Sequence, residues 1–474
     1  MTGLLLALLF SGCKKFISTD LPVTKLATAS VFTSDGAATS AQLAIYAQMS
    51  PGTGLGTGSY DMSRECGTMA DELTNYSTNT QVAQYYLNNM TPNNYFGCWQ
   101  NAYKYIYEAN SIIENVQNNA NLSASIAKQL DGESKFLRAF WHFYLTNQYG
   151  DVPLVTTTGY QVNASISRTP QAQVYQQIIA DLKDAINRLN VNYVDADDST
   201  VTAERVRPNK AVAQAMLARV YLYTKQYTDA ETMATMVISN PNYALTNLNA
   251  VFLKNSSEAI WQLQTTLPAF YNTSEGANFI LTGKPGGGST ARAQAISPQL
   301  LAAFEPGDAR TANWMASVTA AGNTYYYPYK YKVNANVAIT SLDGVTEYAM
   351  VLRLAEQYLI RAEARAQQGN TSGAISDLNS IRQRAGLPPL SASLSQTQAL
   401  AAVMQERRVE LFTEWGHRWY DLNRTNTIGQ VMGAPGNVYT AKGATGAWDA
   451  TKQLFPIPLT EITNDPNLTQ NQGY

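Results

Sequence analysis

Charge is scarce in this sequence. Asp, Glu, Lys and Arg make up 14% of 474 residues, against roughly 25% in an average soluble domain. The net charge is −2, so there is no basic footprint of the kind that holds nucleic acid. Histidine is limited to His142 and His417, both inside helical patterns. No His/Cys/Asp cluster has metal-ligand spacing, and neither a metal nor another cofactor is expected. The cysteines are Cys13, Cys66 and Cys98. A Cys66–Cys98 disulfide and two unpaired buried thiols are both compatible with that set. The apolar run LLLALLF at residues 4–10 is far short of the about 20 residues needed to cross a bilayer. Phosphate loops are missing too. PGTGLGTGSYD at 51–61 lacks the lysine and helix entry, and in GKPGGGS at 283–289 the lysine precedes the glycines.

What fills the place of charge is Asn, Gln, Ser, Thr and 29 tyrosines, alongside 45% apolar residues. Such a surface suits an extracytoplasmic protein with uncharged polar ligands. At this length either several units or one extended helical stack is expected. The run at 4–10 is followed by Ser11-Gly12-Cys13. Seven apolar residues reach the lower limit of a signal-peptide core, and slim side chains before a cysteine are what a lipoprotein-processing peptidase requires. Residues 1–12 are therefore expected to be a removed signal peptide, Cys13 a lipid anchor and 13–30 a tether to a single domain at 31–474. No Lys or Arg precedes the run, so a longer leader is expected.

The fold class is mostly α. In Tyr348–Gly386, Leu352, Ala355, Tyr358, Leu359, Ala362 and Ala366 recur three and four apart, which places them on one helix face. Gly369-Asn370 breaks the pattern, and a second helix follows with Ala374, Leu378 and Ile381. Small residues at Ala362 and Ala374 sit where two antiparallel helices must approach closely, the logic of a tetratricopeptide (TPR) hairpin. Ala218 and Ala230 repeat that spacing, so TPR-like hairpins are expected at 208–239 and 348–386. Helices are also expected at Ala37–Met49, Tyr95–Val116, Leu130–Tyr149, from Thr169-Pro170 to Leu189, and within Ser391–Arg418. Residues 240–345 lose the period and are rich in Asn, Thr, Gly and Tyr, including YYYPYKYK. So long a stretch reads as a loop-rich insertion, and the tail after Leu454 as extended.

Six segments, in order, carry a resemblance. They are VF…A…IY at 31–46, GESKFLRAFWHFYLTNQYGDVPLV at 132–155, FEPGDAR at 304–310 and RLAEQYLIRAEARAQQG at 353–369. ERRVELFTEWGHRWYDLNR at 406–424 and FPIPLTEI with its polar tail at 455–474 complete the set. Together they resemble the SusD/RagB family of nutrient-binding outer-membrane lipoproteins of the Bacteroidetes. Asp465-Pro466-Asn467 stands where that family usually has Asn-Pro. The resemblance implies a non-catalytic, cell-surface glycan receptor that passes its ligand to a SusC-type TonB-dependent transporter. Peptides or other oligomers are the alternative cargo, and a helical glycoside hydrolase the alternative activity. It also implies a platform tryptophan at Trp99, with Asn101 beside it. Sugar rings present C–H faces that flat aromatics grip, and loops on a rigid scaffold favour binding. The insertion therefore adds Phe270, Tyr271, Phe279, Trp314, Tyr325 and Tyr327 as candidates. Glu410 and Glu414 lie one helical turn apart like an acid/base pair, but the adjacent arginines are expected to lower both and leave them structural.

Overall fold

A computed structural model describes residues 31–50, 59–93, 97–198, 200–266, 272–287, 291–334 and 339–474. The expected signal peptide, Cys13 and tether lie outside them, as do Phe270 and Tyr271. Helices open where the sequence supplies a cap. Ser34 accepts from the Ala37 N–H ahead of α1 (Asp35–Met49), and α2 follows at Ser59–Met69. After the short strand β1 (Leu73–Asn75), Asn79 caps α3 (Thr80–Tyr86). Three long helices, α4 (Trp99–Val116), α5 (Ala124–Tyr149) and α6 (Gln171–Arg188), pack side by side.

The middle helix of the three is the centre of the molecule. Burial on α5 is unbroken from Gln129 to Thr146, so its polar side chains need partners inside the protein. Each charge has one: Arg207 reaches Glu133 at 2.7 Å and Arg138 reaches Asp181 at 2.6 Å. Gly132 lets α6 close in, because a Cβ there would lie 3.0 Å from that of Arg188.

Two helical hairpins follow. In the first, α7 (Lys210–Tyr223) and α8 (Tyr227–Ile238) meet with Ala218 and Ala230 fully buried. In the second, α9 (Leu354–Gln367) and α10 (Thr371–Arg384) meet with Ala362 and Ala374 fully buried. Gly369 turns between them at φ +83°, a region that L side chains rarely adopt. The hairpins stack directly, α8 against α9, and Arg365 bonds Glu231 across the seam at 2.8 Å.

Between the hairpins, the insertion is more ordered than its composition implied. It contributes β2 (Ala259–Leu263), β3 (Gln294–Ile296) and the hairpin β4 (Met315–Ala320)–β5 (Asn323–Pro328). Ala321 and Gly322 make that turn with φ of +50° and +77°, as a two-residue type I′ turn requires. β3 pairs antiparallel with β1, and β2 with β6 (Ala349–Arg353). Leu352 is thus a strand residue and not the first turn of a helix. Pairing with β2 overrides its helical spacing to α9. The helix expected over 391–418 is likewise split into α11 (Gln396–Glu410) and α12 (His417–Arg424). The break runs from Leu411 to Gly416, with Thr413, Trp415 and Gly416 all at positive φ, and at Gly416 a Cβ would sit 2.7 Å from the Cys66 sulfur. The extended tail contains one further short helix, Leu459–Asn464.

Candidate functional site

The candidate rings do not form one platform. Trp99 opens α4 but is only 3% exposed, wedged against Tyr149 and Tyr103 at centroid distances of 4.9 and 5.0 Å. It forms the floor of a cleft of about 570 Å³ whose rim carries the exposed Tyr107 and Tyr160. Asn101 lines neither that cleft nor the one described next. Trp314 is fully enclosed; its indole N–H donates to the Leu248 carbonyl at 2.8 Å, and the Lys330 ammonium sits 4.8 Å from its ring. Phe279 is 2% exposed and stacks edge-on against Tyr60. Burial removes Trp314 and Phe279 from any ligand platform in this conformation, because a large insertion needs rings for its own core. Tyr327 is buried beside Tyr329.

Tyr325 is the described insertion candidate that reaches a cleft. That cleft encloses about 320 Å³ where the insertion meets β1 and α3. Tyr76, just after β1, meets Tyr325 edge-on at 5.4 Å, and Tyr86 and Tyr326 complete a set of four rings. Tyr76 and Tyr326 keep 38% and 43% of their surface open, enough to offer a face to a ligand. Thr74, Ser297, Gln299 and Thr324 place hydroxyl and amide groups around them. Tyr325 and Tyr326 ride on the β4–β5 pair, Tyr76 directly follows β1 and Tyr86 ends α3, so regular elements hold the rings in position better than loops would. Of the four, only Tyr325 was singled out by sequence.

Residues 309–474 match the model of the SusD family, and residues 41–222 match a related model described as starch-binding and associating with the outer membrane. The chain belongs to the SusD family. It is 28% identical over 424 residues to SusD-like protein P2 of Formosa agariphila, covering 79% of this chain and 80% of that protein. A SusD superfamily protein from Bacteroides vulgatus superposes with a TM-score of 0.77 at 21% identity, covering 92% of this chain and 98% of that one. A laminarin-binding SusD-like protein gives 0.73 at 22% identity, with 92% and 99% covered.

Several of the SusD-like motifs are structural in this chain. Arg353 donates to Glu258, Glu410 and Glu414, while Arg310 holds Asp308, Glu406 and Glu410. Burial alone would raise Glu410 and Glu414, but the surrounding Arg and Lys charges outweigh it and hold both carboxyls below their usual range. An acid that stays ionised and fully paired is a poor proton donor. His142 is pushed down to about 3 by burial, its Nδ1 2.9 Å from the Arg138 carbonyl. Cys66 and Cys98 are free buried thiols that burial raises, unlike reactive cysteines. No metal-binding group of His, Cys, Asp or Glu occurs among the described residues.

Proposed function

We propose that this SusD-like chain is a non-catalytic glycan receptor of the cell surface. It is held at the outer membrane through a lipidated Cys13 and hands its ligand to a SusC-type TonB-dependent transporter. The observation that carries the reading is the four-tyrosine cleft with its ring of hydroxyl and amide groups. Apolar ring faces complement sugar C–H faces, and short polar side chains complement sugar hydroxyls. The starch-binding description of a matching family and the laminarin-binding relative point to the same ligand class.

Titration calorimetry against a panel of glycans and peptides tests it. A glycan should bind, and Tyr326→Ala should weaken it by about tenfold, equal to about 1.4 kcal/mol, without lowering the melting temperature. Binding of peptides alone, or release of reducing sugar from any glycan, overturns it. For the anchor, Cys13→Ala protein expressed without the transporter should leave the membrane fraction.

A further inference from the structure

Two of the residues lining the tyrosine cleft are charged, Asp71 and Lys442, and only one of them is neutralised. Asp71 bonds Arg418 through both carboxylate oxygens, at 2.7 and 2.9 Å, and Arg408 at 2.7 Å. Burial disfavours its charge, but those two cations outweigh burial and hold it at about 2. Glu72, next in sequence, is raised to about 8 by burial and by Asp71, so it carries no charge at neutral pH. Lys442 has no ion-pair partner among the described residues; its Nζ donates instead to the Thr68 and Met69 carbonyls at 2.5 and 2.7 Å. Those are the final carbonyls of α2, and capping them is a structural use for a lysine. It occupies two of the three ammonium donors. Lys442 is thus the cation of the cleft lining, with Nζ 5.3 Å from the Tyr86 ring, while Arg408 and Arg418 stand behind Asp71 and already outnumber its single charge.

We infer that the cleft selects glycans bearing an acidic substituent, a uronate carboxylate or a sulfate ester, which the remaining Lys442 donor and the unmatched positive charge receive while the tyrosines hold the sugar ring. This rests on the glycan-receptor reading and narrows its ligand class. Burial lowers Lys442 to about 7, so the cation is present below that pH and lost above it. The titratable groups facing it are Asp71 and Tyr86, and Arg408, Arg418 and Glu72 surround Asp71 in turn.

The test compares oligouronate, sulfated galactan oligosaccharide and neutral laminarin oligosaccharide of equal length by calorimetry at pH 6 and pH 8.5. At pH 6 one of the acidic ligands should bind about tenfold tighter than the neutral one, as a charge-assisted hydrogen bond implies. The two acidic arms distinguish carboxylate from sulfate. Lys442→Gln should abolish the preference and flatten its pH dependence. Lys442→Arg, which keeps the charge, should retain the preference at pH 8.5 and serves where the glutamine variant does not fold. Equal binding of acidic and neutral ligands, or a pH dependence that survives Lys442→Gln and so belongs to Glu72, overturns the inference alone. Binding to none of the three, nor to any glycan in the wider panel, overturns the receptor reading with it.

Discussion

Replacing Arg353 with methionine should destabilise the protein more than any single loss on its surface. The guanidinium is 2% exposed and spends all five N–H groups on Glu258 Oε1, Glu410 Oε1, the Glu410 carbonyl and both oxygens of Glu414, at 2.6–2.9 Å. Among the described residues, Arg310, Lys330, Arg353, Arg382 and Arg384 face Glu258, Glu305, Asp308, Glu406, Glu410 and Glu414 in one connected network. That is five cations against six carboxylates, so removing one cation doubles an excess of negative charge from one to two. Breaking a buried pair costs about 3–5 kcal/mol. With an unfolding entropy of about 2.1 cal/mol/K per residue, that is roughly 3–5 °C for a chain of this size. Urea unfolding and calorimetry read both quantities. Adding Glu258→Gln to Arg353→Met should recover part of the loss by returning the excess to one carboxylate, Arg384 being the only cation Glu258 keeps in the single variant. The gap between wild type and variant should also narrow in acid. The folded pKa values of Glu410 and Glu414 are depressed, so their contribution is present above the unfolded value of about 4.3 and lost as pH falls below it. A variant within 0.5 kcal/mol of wild type (about the scatter of ordinary surface substitutions), or a double variant worse than the single one, would refute the reasoning.

Trp99→Ala should lower stability by about 3–5 kcal/mol, as for other buried aromatics, while leaving affinity for a glycan in the tyrosine cleft unchanged by calorimetry. Glu72→Gln should change the pH profile of stability. The folded carboxyl sits at about 8, so the native state binds the extra proton between about 4.3 and that value, and stability falls as pH rises through the window. Urea midpoints at pH 5 and pH 8 should differ less in the glutamine variant than in wild type. Gly416→Ala should lower the melting temperature, since it meets both a left-handed backbone and the Cys66 sulfur, and Cys66→Ala should restore only part of it.

Much of the scaffold was legible because its constraints are local. Ala218, Ala230, Ala362 and Ala374 sit where helices approach, and no larger side chain fits such a seam. The segments around Arg310, Arg353 and Glu410 could be recognised as motifs because a buried charge demands its partner. The ligand site was harder to read. Trp99 falls on the same helix face as Ala102 and Ile106, so its period already marked it as core, and the resemblance argued the other way. Tyr76, Tyr326 and Lys442 lie more than a hundred residues apart and are brought together by the pairing of β1 with β3, the packing of β3 on β5 and the bonds of Lys442 to the end of α2. No window of sequence records that pairing. Leu352 shows the same limit, since a helical period can run unbroken into a strand whose partner, Trp261, lies far earlier in the chain.

The stacking of α8 on α9 across residues 240–345 also bears on how the chain reaches this structure. A hairpin repeat ordinarily grows from one end, each unit settling on the last. Here the surface that α8 offers to α9 waits while more than a hundred intervening residues emerge, and β1 waits still longer for β3. Contacts of such sequence separation impose a loop-closure cost before they return any stability, so folding is expected to be slow and to complete late. A chain cut anywhere before Gln367 would leave the seam open, with its small-residue helix face free to find the same face on another copy.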